Sequence, residues 1–235
     1  MSNRLKIFIK NCLKAILPAG VQSHLKKRLR RLKIISSNQM EQVLMELEKR
    51  KVRLKDLHAL EVFGYDGTWH TTSYAFLVST LEVWEIEQKH LEALQRNLPM
   101  AKVKITDSYE EIKNTSGKYS LIIVDNPMST YSNYCEHFEL FPDIFRVATD
   151  LTILILNVIP EIDEPALKKY PYLFNDLQLE HRQSFYGTTC PEKVSFDEMV
   201  EAYKNLITAN GFNLEWYFFQ RRGSIVYYLV LKIVR

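Results

Sequence analysis

Cysteine is scarce. The 235 residues hold three, Cys12, Cys135 and Cys190, widely spaced and without a Cys-x-x-Cys pair. An odd, scattered set cannot pair off internally, which favours a reducing compartment and argues against a cysteine zinc site. Glycine and proline are few, at 7 and 8, and that excludes collagen-like and low-complexity classes. No apolar run is long enough to span a bilayer. Lys6, Lys10 and Lys14 interrupt the apolar stretch near the N-terminus, so no secretory signal is expected. Residues 1–40 also lack acid: ten Lys and Arg stand there without one Asp or Glu.

What is present is ordinary in bulk, with 46% hydrophobic, 25% charged and 12% aromatic residues. A chain this long and apolar buries a full core, so wholesale disorder is excluded. The net charge of +3 hides an asymmetry: beyond residue 40, 21 basic residues face 28 acidic ones. A basic arm therefore precedes an acidic body. In the arm, Leu5, Phe8, Ile9, Cys12 and Ile16 share one helical face and Lys6, Lys10 and Lys14 another. Pro18-Ala19-Gly20 ends that helix, and Val21 to Lys33 repeats the pattern. Such helices lie on an anionic membrane surface or cap the body with their lysines solvated, and both readings stay open. Phosphate binding ranks third, and a cleaved organelle transit peptide fourth.

The body alternates. A helix is predicted over 38–51, then strands at 58–63, 81–86, 102–105, 119–124 and 151–156. Helices are predicted between them over 71–79, 88–97 and 108–113 and within 134–149. The strands at 119–124 and 151–156 are apolar throughout, as strands covered on both faces are. A helix over 196–210 and strands over 212–220 and 224–234 follow, joined at Arg221-Arg222-Gly223, a tight hairpin signal. The expected fold is α/β: a Rossmann-like, mostly parallel seven-stranded sheet with a C-terminal antiparallel hairpin, plus N-terminal helices. The expected division is a basic helical extension over 1–52 and one domain over 53–235. Residues 158–194, with four prolines, read as an irregular lid or substrate loop.

Ligands of such sheets bind beyond the carboxyl ends of the strands. Four loops qualify. Glu61-Val62-Phe63-Gly64-Tyr65-Asp66-Gly67 follows strand one, and its glycines allow a tight turn and close approach to a ligand. Glu85 ends strand two, where a carboxylate accepts both hydroxyls of a ribose. Asp107 and Ser108 close strand three, where Asp caps a helix or accepts from an adenine amino group. Asp125-Asn126-Pro127 closes strand four and reads as a site or merely as a turn.

In that order, with "LEVWEIEQKHLEALQRNLP", "VKITDS" and "KYSLIIVDNP", residues 57–235 resemble the class I S-adenosylmethionine-dependent methyltransferases. The resemblance implies S-adenosylmethionine as cofactor, with its ribose on Glu85 and its adenine by Asp107 and Ser108. It places Glu61, Gly64 and Gly67 along the methionine part, and Asp125 and Asn126 before the transferred methyl. The family's first loop reads acid-x-Gly-x-Gly-x-Gly, whereas Phe63 and Tyr65 stand at the first two glycine positions here. Either the two rings crowd the cofactor or the loop is re-routed through Gly64.

A hydroxyl acceptor needs a base. His137 is the first candidate, with His70 and His181 behind it. Glu136, His137 and Glu139 lack a facial arrangement, so no metal is expected. Trp69, Tyr131 and Tyr134 are cleft candidates able to stack on sugar or adenine. Asn175, Gln178, His181, Arg182 and Gln183 in the lid suit a polar substrate. The leading expectation is a methyltransferase for a small polar or sugar-containing acceptor, cytoplasmic, with residues 1–35 on the inner face of a membrane. Its rivals are a non-catalytic binding or scaffold protein of the same fold and an aminopropyltransferase. A nucleic-acid methyltransferase comes last.

Overall fold

The computed structural model describes residues 38–125, 137–161, 163–171 and 175–235. The basic arm over 1–35, and with it Cys12, lies outside the described residues, as do Asn126, Tyr131, Tyr134, Cys135 and Glu136.

Seven strands form one sheet: β1 (His58–Glu61), β2 (Thr80–Glu85), β3 (Lys102–Ile105), β4 (Tyr119–Val124), β5 (Ala148–Val158), β6 (Asn213–Arg221) and β7 (Tyr227–Val234). Their order is β3-β2-β1-β4-β5-β7-β6. The first five run parallel, while β7 is antiparallel to both β5 and β6. The winding reverses between β1 and β4, which places the switch point there.

Both sheet faces are covered, and strand periodicity explains how. In β4, Ile122 and Val124 enter one core with Leu60, Leu154, Leu156, Leu229 and Leu231. Leu121 and Ile123 enter the other with Ala59, Val83, Ile153, Ile155 and Val230. Successive side chains point to opposite faces, so an all-apolar strand serves two cores. The first core also takes residues of α3 (Ser108–Asn114), α4 (Phe141–Val147) and α7 (Phe196–Ala209). The second takes α1 (Gln39–Lys49) and α2 (Leu91–Asn97). The sequence groups α1 with the N-terminal extension, yet Met40, Val43 and Leu47 are fully buried in the domain core. A capping box, Asn38 with Glu41, starts this helix.

The expected helix over 71–79 is one 3-10 turn, Thr71–Ser73, followed by further turns. Thr and Ser compete for the backbone with their own hydroxyls, and Tyr74 turns inward to donate to the Glu61 carboxylate. The stretch 158–194 is more ordered than expected. It carries α5 (Glu164–Lys169), α6 (Asp176–Tyr186) and a 3-10 turn at Pro191–Lys193. Two of the expected polar substrate groups there are structural: Asn175 caps α6, and Arg182 is buried with Nε donating to the Pro191 carbonyl at 2.7 Å. His181 pairs with Glu139 at 2.8 Å.

Candidate functional site

The carboxyl ends of β1 to β5 converge on one edge. On the β1–β2–β3 side, the first loop is re-routed through Gly64. The Gly64 N–H donates to the Trp84 carbonyl at 2.8 Å, and a Cβ at Gly64 would stand 2.3 Å from Val83 Cγ1. Only glycine lets the loop lie this close to β2. A turn then closes from the Gly67 N–H to the Gly64 carbonyl at 3.0 Å, with Gly67 at φ +73°. Tyr65, at a position where the family pattern has glycine, takes φ +47°. Left-handed backbone costs a non-glycine residue about 1–2 kcal/mol. The Tyr65 N–H donates to Glu85 Oε2 at 2.7 Å, which holds it there. The two rings separate: Phe63 turns in toward Tyr109, and Tyr65 lies exposed beside His90 with centroids 4.4 Å apart.

Glu85 is buried, and its other oxygen accepts from the Glu87 N–H at 2.8 Å. A carboxylate offers about four acceptor positions, so two amides orient it and leave each oxygen one more. That fits the vicinal hydroxyls of a ribose. Ile86, the next residue, is 64% exposed, an apolar surface beside this carboxylate. Asp107 caps α3 by accepting from the Tyr109 N–H at 2.9 Å. Ser108, buried, donates to the Val62 carbonyl and ties α3 to the first loop. Its hydroxyl is thus turned toward the loop backbone.

Across the switch point the edge is polar and internally paired. Glu61, at the end of β1, is buried, and the Tyr74 hydroxyl donates to it. Burial raises its carboxyl to about 8, against the lowering effect of the Tyr74 and Thr71 hydrogen bonds. Asp125, at the end of β4, accepts from Asn157 Nδ2 at 2.6 Å and from the Tyr228 hydroxyl at 2.9 Å. It also pairs with Arg222 at 2.6 Å. Burial works against the Arg222 charge, but Asp125 and Tyr228 outweigh it and hold the guanidinium above its ordinary pKa. The antiparallel register explains the gathering: Asn157 faces Tyr228 across β5 and β7, so the hairpin returns to the edge where β4 ends.

Trp69 and His70 border this network. Their rings stack at 5.7 Å and 8°, and His70 meets Tyr228 edge-on at 5.9 Å. The Arg222 guanidinium carbon lies 5.7 Å from the Trp69 ring centroid. His70 is lowered from its ordinary value by burial, with Asp125 opposing and Arg222 adding to the shift. Its Nδ1 is buried without a hydrogen-bond partner among the described residues.

His137 is elsewhere. It is fully buried amid Phe138, Phe141, Phe185 and Tyr203, and its Nε2 lies 2.7 Å from the Tyr203 hydroxyl. Burial pushes its pKa down to about 3. It is a core histidine, and the structure corrects its expected place before the methyl. Of the three histidine candidates, His70 stands at the strand ends. Arg222, Asn157, Tyr228 and Tyr74 escaped the sequence reading. Arg222 read as a turn residue, Asn157 fell just beyond an expected strand, Tyr228 sat inside one, and Tyr74 fell in an expected helix.

The strand order, with β7 antiparallel beside β5, defines the class I S-adenosylmethionine-dependent methyltransferase fold. Solved structures share it. Magnesium protoporphyrin IX methyltransferase of Synechocystis, with bound S-adenosylhomocysteine, is 16% identical, with 83% of this chain and 81% of that one covered at a TM-score of 0.52. The Escherichia coli protein yhhF, assigned as a methyltransferase, is 11% identical over 85% and 89% of the two chains, with a TM-score of 0.51. Trm5b of Pyrococcus abyssi is 11% identical over 83% of this chain and 48% of its own, with a TM-score of 0.50. No family profile matches the chain, and no curated protein matches its sequence.

Proposed function

We propose that the chain is an S-adenosylmethionine-dependent methyltransferase acting on a small polar or sugar-containing acceptor. The observation that carries this is Glu85: a buried carboxylate at the end of β2, oriented by two backbone amides, with exposed Ile86 beside it and the cap of α3 on the neighbouring strand end. Glu85 would hold the ribose, and Asp107 would face the adenine. The bound cofactor supplies an activated methyl on a sulfonium. The protein's part is alignment of acceptor and methyl, which alone accounts for much of such a barrier. The acceptor side is the Asp125–Arg222–Tyr228 network, and His70, which burial shifts toward its neutral form, is the group able to take a hydroxyl proton.

A second reading is a non-catalytic protein of the same fold, favoured by a tyrosine in left-handed backbone where the family pattern has glycine. The aminopropyltransferase reading loses ground, because Asp125 is neutralised by Arg222 and a cationic polyamine would meet a guanidinium. Calorimetric titration with S-adenosylmethionine and S-adenosylhomocysteine decides between the first two. Saturable binding weakened tenfold or more by Glu85→Ala supports the enzyme. A folded wild type that binds neither ligand overturns it and leaves the binding protein.

A further inference from the structure

The acceptor side carries chemical information of its own. Its charges cancel internally: Asp125 is matched by Arg222 at 2.6 Å, and a charged acceptor would have to break that pair. Burial raises Glu61 to about 8 and lowers His70, so both are shifted toward their uncharged forms. The titratable groups around His70 are Asp125 and Arg222, with the Tyr228 ring beside it, whose hydroxyl burial and Asp125 push well above the ordinary phenol range. No surplus charge is left to select an ion.

Beside this balanced set stands an indole. Trp69 is 62% exposed, while Trp84 is fully buried. Trp69 is not loose: His70 stacks with it and Arg222 lies 5.7 Å from its centroid. An exposed aromatic face bordered by a carboxylate, a guanidinium, a phenol and an imidazole suits a ring with one apolar C–H face and a dense rim of hydroxyls. An apolar arene would leave that rim of polar groups unmatched.

Resting on the methyltransferase reading, we propose that the acceptor is an uncharged sugar, its ring face on Trp69, its hydroxyls shared by Asp125 and Arg222, and one of them methylated on oxygen with His70 as base. The hydroxyl oxygen forms its bond to the methyl carbon as the carbon–sulfur bond of the sulfonium breaks. That electron pair stays on sulfur, the hydroxyl proton passes to His70, and His70 releases it to water.

The test is an array of immobilised glycans in neutral, uronic-acid and amino-sugar forms, probed with the full chain and with Trp69→Ala. Trp69 is largely exposed, so the variant should fold, and circular dichroism checks that it does. The expected result is retention on neutral glycans, reduced tenfold or more by Trp69→Ala. On the retained glycan, His70→Gln should lose transfer of a radiolabelled methyl by far more than it loses retention. Retention confined to uronic acids or amino sugars, or neutral retention unchanged in Trp69→Ala, overturns the sugar proposal. Transfer unchanged in His70→Gln overturns the base. Calorimetry separates the two levels. Cofactor binding without glycan retention sinks the sugar acceptor alone, and glycan retention without cofactor binding sinks methyl transfer and with it the base.

Discussion

Glu61 holds a carboxyl in the core with its proton. Its pKa is about 8 in the folded chain against 4.5 for the free group. Between those values the native state binds the extra proton, so stability falls as pH rises through that window, by up to about 1.4 kcal/mol per pH unit. Glu61→Gln keeps an oxygen to accept from Tyr74 and removes the titration. Thermal melts should show the variant gaining on wild type steadily from about pH 5 to pH 8; a constant difference would refute the buried acid. The same residue shows what a sequence conveys. Its position at the end of the first strand marked it as a site residue, but its raised pKa comes from burial, against the lowering hydrogen bond of Tyr74, and that burial is set by tertiary packing that no local pattern shows. Glu85 and Asp107 were legible because strand ends and helix caps are local. Arg222 was not, since its partner is distant in sequence.

Elements followed local chemistry closely where local chemistry was strong. The bounds of β3 and β4 agree with the sequence reading, because each is a short apolar or alternating run closed by turn and cap residues. The segment over 71–79 failed because hydroxyl side chains and an inward tyrosine outweighed its apolar spacing. The stretch over 158–194 failed in the other direction: its prolines hid α5, which holds Pro165 in its first turn, and α6, whose ends Asn175 and Gly187 cap. The first loop gives a prediction at this scale. Gly64→Ala drives a methyl to 2.3 Å from Val83 Cγ1, and overpacking of this kind costs about 1–3 kcal/mol. Urea denaturation should show that loss. Gly64→Ala with Val83→Ala should lose less than the two single losses together, since one removes the atom the other meets.

At the scale of the whole molecule, the sheet carries the hairpin back to its own switch point. β7 pairs with β5 along eight residues, and Arg222 at the turn then reaches Asp125. Removing the guanidinium strands a carboxylate that is 6% exposed. Breaking a buried pair this way costs about 3–5 kcal/mol, so Arg222→Ala should lower stability to urea markedly near pH 7. Arg222→Lys, which keeps a positive charge beside Asp125, should lose less. An equal loss in the two variants would mean that the guanidinium acts through packing on Trp69 and Tyr228 alone.

Tyr228 lies 103 residues after the aspartate it serves. During synthesis, β1 to β5 therefore emerge before the phenol and guanidinium that partner Asp125. Until β7 docks, a hydrophobic strand edge on β5 and an uncompensated carboxylate stand side by side. The last hairpin is thus what completes the partners of a carboxylate set at the end of the fourth strand.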